Sequence, residues 1–348
     1  MDSPAPGFHP ERLLALMRSA IERCGLDLTD SVVLTEAASG AYAITPVLAA
    51  MAGAARVFAL TRTSRYGTVD EIARATFELA NRVGVADRVE IVTEKRADII
   101  ARADIVTNSG HLRPIDFATV SSMKPTAVVP LMYEAWEFRP NDLDLAACRE
   151  HWIPVVGTNE RHAAIDVFSF LGMMAIQLLF DAGIAVYQSR ILLCCNNPFQ
   201  EFVSDGLRRA GAEVHTEEEL NDRVAMADPD AILIALRPRA NPGIGSHEAE
   251  IIARCYPRTM VAQFLGDIDR ASLVQHGVAF WPVDAPAPGH QGILPSRIGP
   301  EPIVRLQAGG LKVGEIMARA RKSQLDRQSG HDAAVAAAVD SGFGQKLS

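Results

Sequence analysis

The chain has 348 residues, of which 48% are hydrophobic and 22% are charged, and its formal net charge is -8. This length and composition predict a globular protein with room for two domains of ordinary size. Acidic residues outnumber basic ones, so we expect no strongly basic surface that could bind the phosphate backbone of a nucleic acid. This argues against a nucleic acid as a partner.

Other features of the sequence argue against a membrane, a secretory signal and a metal site. A span would need about 20 consecutive apolar residues, and no stretch comes near that length. The first ten residues carry acid and proline instead of a basic segment followed by an apolar one. Five cysteines are scattered along the chain, with none of the spacings of a zinc site. We therefore expect reduced thiols, no metal and a cytoplasmic protein.

The first part of the chain alternates between apolar runs and helical patterns. Residues 1–30 are predicted as an N-terminal helical segment, with an amphipathic helix over 11–24. Residues 31–162 are predicted as a first Rossmann-like domain. Its predicted strands cover 32–34, 56–60, 89–92, 103–107, 126–131 and 153–156. Strands separated by about 25 residues and a helix form βαβ units, and these imply a parallel sheet.

The same alternation resumes after a long apolar stretch. Residues 163–190 are predicted as an apolar connecting helix that is buried between domains or in a homodimer. Residues 191–322 are predicted as a second Rossmann-like domain, with strands over 191–195, 213–215, 231–236, 259–264 and 278–282, and residues 323–348 as a flexible tail. The predicted fold class is therefore α/β, with two Rossmann-like parallel-sheet domains in tandem.

Ligands of such sheets bind at the carboxyl ends of the strands, so the loops that follow the strands are the candidate site. The loop after the first strand contains Ser39, Gly40 and Tyr42, and its small residues would let an anion or adenosine approach a helix N-terminus. Only one glycine is present where the dinucleotide fingerprint has three. A plain strand-to-helix turn explains the same residues.

The loop after the second strand contains Arg62, Thr63 and Arg65. An NAD-binding domain usually has an acidic residue here for the ribose hydroxyls, whereas arginines and hydroxyls suit a 2′-phosphate. If a dinucleotide binds in the first domain, these residues favour NADP(H) over NAD(H). A solvated basic turn is the alternative.

A third polar loop, Asn108, Ser109, Gly110 and His111, follows the run Ala103-Asp104-Ile105-Val106 and precedes Met123-Lys124-Pro125. In this order the segments resemble the NAD(P)-binding Rossmann dehydrogenase superfamily, including the D-2-hydroxyacid dehydrogenases, adenosylhomocysteine hydrolase and ornithine cyclodeaminase. The resemblance covers about residues 32 to 160 and lacks the glycine fingerprint. It implies a nicotinamide cofactor in the first domain.

Further candidates follow later strands. Glu134, Trp136 and Asn159 could line a substrate pocket. Arg237 and Arg239 offer guanidinium groups to a carboxylate or phosphate. His111, and His290 in a long proline-rich loop, are candidate proton donors.

Three functions fit these residues. The first is an NAD(P)-dependent oxidoreductase-like enzyme that acts on a small anionic substrate in an inter-domain cleft. The second is a SAM-dependent methyltransferase-like transferase, because residues 81–92 resemble the segment that leads into the third strand of such enzymes. The third is a non-catalytic tandem Rossmann protein.

Overall fold

The computed structural model of the chain describes residues 6–222, 226–324 and 326–347. The backbone divides into two compact units. Unit 1 combines Met1–Val167 with Gly299–Ser348, and unit 2 is Phe168–Ile298. Unit 2 is therefore an insertion in the chain of unit 1.

Parallel strands form the core of unit 1. Its described strands are β1 (Val32–Glu36), β2 (Arg56–Leu60), β3 (Val89–Val92), β4 (Ile105–Val106), β5 (Val129–Pro130), β6 (Val155–Thr158) and β12 (Gly344–Gln345). They pair in the orders β3-β2-β1-β4 and β12-β6-β5. A parallel bridge between Ile105 and Val128 joins the two sets, and the amide of Val106 donates to the carbonyl of Val128 at 3.0 Å.

The complete order in unit 1 is therefore β3-β2-β1-β4-β5-β6, with β12 added antiparallel to β6. The order 3-2-1-4-5-6 is that of the dinucleotide-binding Rossmann fold. The sequence predicted the parallel sheet, and its strand order follows from pairing between distant segments.

Helices cover the sheet of unit 1. They are α1 (Pro10–Cys24), α2 (Ile44–Met51), α3 (Val69–Arg82), α4 (Ala97–Ile100), α5 (Phe117–Ser121), α6 (Leu145–Glu150), α11 (Glu301–Lys322) and α12 (Arg327–Asp340). Thr68 and Glu71 form a capping box that begins α3. Helix α11 packs closely on the strands, because a Cβ on Gly314 would lie 2.7 Å from Cγ2 of Ile105.

Unit 2 contains its own parallel sheet. Its described strands are β7 (Arg190–Cys195), β8 (Glu213–Glu217), β9 (Ala231–Ala235), β10 (Met260–Leu265) and β11 (Phe280–Trp281). Its helices are α7 (Leu171–Asp181), α8 (Phe199–Arg209), α9 (Ser246–Cys255) and α10 (Arg270–Gln275). The strand order β11-β10-β9-β7-β8 is 2-1-3-4-5 when counted within the unit, which is the flavodoxin-like arrangement.

The α/β fold class with two Rossmann-like parallel sheets is confirmed, but several boundaries differ from the prediction. The predicted connecting helix over 163–190 is shorter, and α7 belongs to unit 2. The predicted N-terminal segment and the end of the predicted second domain both belong to unit 1, where α1 packs against α11.

The predicted flexible tail contains α12 and β12. Ala334 and Ala338 of α12 are fully buried, and Gly330 packs against the side chain of Arg321. Ala334 and Ala338 therefore lie on the contact face of a packed helix. Small side chains let α12 approach its neighbours closely.

In the part of the chain that the structure describes, no helix is both long enough and apolar enough to cross a membrane. All five cysteines are free thiols, and burial raises the pKa of Cys148 and Cys194 to about 12. No group of three or more His, Cys, Asp or Glu side chains among the described residues could hold a metal ion.

Candidate functional site

The strand order of unit 1 changes direction between β1 and β4, and this switch point is where α/β sheets of this kind bind their ligands. The loops that follow β1, β2 and β4 meet there. They carry all of the predicted cofactor residues, so the fold brings those residues to one edge of the sheet.

Glu36, the last residue of β1, is the central charged group at this switch point. Its side chain is buried, with 6% of the residue exposed, and its Oε2 accepts a hydrogen bond from the backbone N–H of His111 at 2.9 Å. A Cβ on Gly110 would collide with the same carboxylate. Gly110 therefore lets the β4 loop pass close over the carboxylate of Glu36.

The β1 loop holds Ser39, Gly40 and Tyr42 beside Glu36. Gly40 has a φ of +62°, the left-handed conformation that favours glycine. Burial of the Tyr42 phenol raises its pKa above the usual value, and the charge of Glu36 raises it further. The aromatic ring of Tyr42 is thus near the buried carboxylate. These residues lie where a cofactor loop is expected.

The β2 loop is exposed, as a loop that receives a ligand would be. Nη2 of Arg62 donates to the carbonyl of His111 at 3.1 Å, which links this loop to the β4 loop. Arg65 lies over the ring of Tyr66 at 4.8 Å and donates to its hydroxyl at 2.6 Å. Thr63 is exposed between the two arginines.

The β4 loop is built on buried polar side chains. Ser109 donates to Thr107 at 2.8 Å, and Thr107 donates to Thr35 on β1 at 2.9 Å. Oδ1 of Asn108 accepts from the backbone N–H of Met132 at 2.7 Å. Its Nδ2 is buried and has no hydrogen-bond partner among the described residues. An unsatisfied buried donor is costly, so Asn108 is a candidate to bind a ligand.

Beyond the switch point, the predicted substrate residues lie at the ends of β5 and β6. Glu134 is completely buried. Its carboxylate accepts from Trp136 Nε1 at 2.6 Å and from Arg161 Nε at 3.1 Å. Asn159 donates to the carbonyl of Gly342 at 2.8 Å. These contacts join the loops that follow β5 and β6 to each other and to the C-terminal segment.

Two further glutamates surround Glu134. Burial raises the pKa of Glu137 to about 7, with Arg139 opposing the shift and Glu134 adding to it. Burial also raises the pKa of Glu160 well above its usual value, and the charges of Glu137 and Glu134 contribute. The cluster therefore holds a proton near neutral pH. Both residues follow predicted strands, but the sequence does not predict that they lie together, because their proximity depends on two loops that are distant in the chain.

In unit 2 the switch point lies between β7 and β9, and asparagines join the loops that follow these strands. Nδ2 of Asn197 donates to the carbonyl of Ala235. Oδ1 of Asn196 accepts from the backbone N–H of Arg237 at 2.8 Å. These bonds fix the position of the Arg237 backbone at the carboxyl edge of the sheet.

A cavity of about 140 Å³ lies at this edge of unit 2. Its apolar wall includes Leu220, Leu236, Pro242 and Gly243, and its charged residues are Glu219, Arg237, Arg239 and Glu248. Arg239 and Glu219 form an ion pair at 2.8 Å, and both side chains are more than half exposed. Both predicted arginines thus line one cavity, together with two carboxylates that were not predicted.

His290 lies in the long proline-rich loop of unit 2, where its Nδ1 is 3.1 Å from the carbonyl oxygen of Pro288. The loop is held at the carboxyl end of β10, because Gly292 donates from its backbone to Phe264 at 2.9 Å. A side chain at Gly292 would collide with the carbonyl of Gln263. The loop is therefore ordered against the sheet.

The two sequence segments that carry the dehydrogenase resemblance contact each other. Oδ1 of Asp104 pairs with Nζ of Lys124 at 2.8 Å, and Oδ2 of Asp104 accepts from the backbone N–H of Val32 at 2.8 Å. Asp104 precedes β4 and so lies at the amino end of the sheet. These residues stabilise the fold, away from the candidate site.

No protein-family model matches the chain, and no curated protein matches it. Among solved structures it is similar to a dipicolinate synthase polypeptide from Bacillus halodurans, with a TM-score of 0.51 and 10% identity over 81% of this chain and 96% of that one. It is also similar to a dipicolinate synthase polypeptide from Bacillus subtilis, with a TM-score of 0.53 and 9% identity over 86% and 100%.

Similarity at such low identity establishes the fold alone. The chain has the fold of these two proteins. The Rossmann-like fold that the sequence predicted is thereby confirmed.

Proposed function

We propose that the chain is an oxidoreductase that binds a nicotinamide dinucleotide, NADP(H) in preference to NAD(H), and acts on a small anionic substrate. The observation that carries this proposal is the strand order 3-2-1-4-5-6 of unit 1, with three polar loops at its switch point. This is the place at which such a sheet binds a dinucleotide.

Several residues at this edge fit parts of a dinucleotide. Arg62 and Arg65 are exposed after β2, where the adenosine ribose of a bound dinucleotide would lie, and their guanidinium groups suit its 2′-phosphate. Asn108 offers a buried amide donor. Ser39, Gly40, Ser109 and Gly110 are small residues that would let the dinucleotide approach the backbone. We assign these residues to the cofactor.

The remaining roles concern the substrate. Bound NADP(H) would supply the hydride, and a carbonyl that receives it also needs a proton. The half-exposed side chain of His111, whose backbone N–H donates to Glu36, is our candidate donor, with His290 as the alternative. Arg237 and Arg239 in unit 2 are our candidates for binding the anionic group.

Glu36 favours a second candidate function. A carboxylate at the end of β1 repels a diphosphate and attracts a cation, and SAM carries a sulfonium and an ammonium group. A SAM-dependent transferase is therefore the second candidate, although neither of the two similar structures is a methyltransferase. A tandem Rossmann protein without cofactor is the third.

Thermal-shift measurements on the full chain with NADPH, NADH and SAM separate these functions, because only a ligand of the native state raises the midpoint of unfolding. We expect the largest shift with NADPH. A shift with SAM alone would select the transferase, and no shift with any of the three would overturn both cofactor-dependent functions.

The Glu36→Gln variant sharpens the result, since glutamine can still accept from the His111 amide. Removing the negative charge should tighten NADPH binding by about tenfold if the diphosphate lies beside residue 36. It should weaken SAM binding by a similar factor. Unchanged affinity for the bound ligand would place that ligand away from Glu36 and contradict the site.

A further inference from the structure

The cavity at the carboxyl edge of unit 2 is the feature from which the ligand class can be inferred. It is lined by Arg237 and Arg239 together with Glu219 and Glu248. The lining therefore has two positive and two negative side chains. A simple anion would pair only with the arginines, and a simple cation only with the glutamates.

From this lining we infer that the cavity binds a small zwitterion, an α-amino acid with a short side chain. Its carboxylate binds Arg239, and its ammonium group binds Glu219. The inference revises the small anionic substrate of the proposed function to a molecule whose carboxylate is accompanied by an ammonium group. It rests on that function only for the role of the amino acid as substrate.

The ion pair between Arg239 and Glu219 supports this assignment. Its atoms are 2.8 Å apart, and the two side chains are 57% and 62% exposed. An ion pair this exposed contributes little to folding, so separating it costs little. A zwitterion replaces one internal pair with two pairs to the ligand, and both protein charges remain neutralised.

The other two charged residues are positioned by the backbone around them. Arg237 is held by Asn196, whose Oδ1 accepts from its amide at 2.8 Å and whose carbonyl accepts from its Nε at 3.3 Å. Glu248 accepts from the backbone N–H of Gly245 at 2.8 Å. Arg239 and Glu219 are therefore the pair that can move to meet a ligand.

The size and the apolar wall of the cavity limit the side chain of the amino acid. About 140 Å³ is well below the roughly 300–1,000 Å³ of pockets for drug-sized ligands, which excludes a dinucleotide. Leu220 and Leu236 form one wall, and Gly243 lets the β9 loop approach Leu236, because a Cβ there would lie 2.7 Å from Leu236 Cδ1. A short apolar or hydroxyl side chain fits this space.

Isothermal titration calorimetry of the full chain, without any nicotinamide, tests the inference. The probes are L-alanine, L-serine and L-valine. Each is compared with the matched acid that lacks the amino group (propionate, 3-hydroxypropionate, 3-methylbutanoate) and with the matched amine that lacks the carboxylate (ethylamine, ethanolamine, isobutylamine). We expect at least one amino acid to bind with a Kd of about 1 mM or tighter, and its acid and amine to bind at least about tenfold more weakly.

The variants Glu219→Gln and Arg239→Gln should each weaken the binding of that amino acid by about tenfold or more. Asp228→Asn is the matched control, because Asp228 forms an exposed ion pair with Arg258 at 2.9 Å and lies outside the cavity. It should leave the affinity unchanged, and circular dichroism verifies that all three variants fold.

Failure of all three amino acids to bind overturns the inference. It is equally overturned if an acid or an amine alone binds as tightly as its amino acid, or if the control variant weakens binding as much as the cavity variants. Because no cofactor is present, these results are independent of whether NADPH binds to unit 1.

Discussion

Units 1 and 2 are both parallel α/β sheets, but they differ in strand order and in how their carboxyl edges are built. Unit 1 has the order 3-2-1-4-5-6 and places a buried carboxylate, Glu36, at its switch point. Unit 2 has the order 2-1-3-4-5, with two asparagines that join the loops at its switch point. The same alternation of strands and helices along a chain therefore produces two different sites.

Each unit contains a short Ala-Gly-Ala segment, and this sequence echo has a local cause. Ala52-Gly53-Ala54 in unit 1 and Ala210-Gly211-Ala212 in unit 2 both follow a helix and precede a strand. Gly53 and Gly211 have φ values of +97° and +91°, the left-handed conformation in which helices commonly end. The echo therefore reflects helix termination, and the different strand orders argue against a simple duplication.

The largest expected effect concerns helix packing. Gly172→Ala in unit 2 would place a Cβ 2.6 Å from the Cα of Gly206, whereas Gly314→Ala in unit 1 would meet the side chain of Ile105. A side chain can move aside for an added methyl group, whereas backbone atoms cannot do so without shifting the helix. We therefore expect the free energy of unfolding to fall by about 3 kcal/mol for the first variant and by about 1 kcal/mol for the second.

Urea unfolding of the two variants measures this difference, with Gly7→Ala as the control, because a Cβ on Gly7 meets no atom within 4 Å. Equal losses for Gly172→Ala and Gly314→Ala would show that the two units tolerate added volume alike. The proposed difference, backbone-to-backbone packing in unit 2 against packing on a side chain in unit 1, would then be wrong.

The acidic cluster of unit 1 should make stability depend on pH. The pKa of Glu137 is raised from 4.5 to about 7 in the folded chain, next to Glu134, Glu160 and the opposing charge of Arg139. Folding then favours the protonated carboxyl, so stability is full below about pH 4.5 and decreases as pH rises towards 7. The loss is about 3 kcal/mol.

Glu137→Gln should therefore flatten this pH dependence and raise the thermal midpoint at pH 8 by about 5 °C or more over that of the unsubstituted chain. Differential scanning calorimetry between pH 5 and pH 8 measures the effect. Glu213→Gln, at an exposed position of unit 2, should change nothing. If Glu137→Gln keeps the full pH slope, the buried proton is not on Glu137.

The smallest expected effect concerns cofactor selection by the β2 loop. Arg62→Ala and Arg65→Ala should each weaken NADPH binding by about three- to tenfold and leave NADH binding nearly unchanged, because only NADPH carries a 2′-phosphate. Arg74→Ala, an exposed position on α3, is the control in fluorescence titrations. Equal losses for both dinucleotides would remove the preference for NADP(H).

The sequence by itself determined the elements and the class of the fold. Apolar runs such as 191–195 and 231–235 are fully buried strands, because a parallel sheet covered on both faces requires continuous apolar segments. The polar loops at 39–42, 62–65 and 108–111 could also be found, since the carboxyl ends of parallel strands are where ligands bind.

Only the tertiary structure decided the strand orders, the membership of the C-terminal helices in unit 1 and the charged groups that complete each site. Glu36 meets His111, Glu137 meets Glu160 and Arg239 meets Glu219 across loops that are distant in sequence. Local periodicity predicts what each segment becomes. It does not specify which segments pair, because pairing depends on the packing of the whole chain.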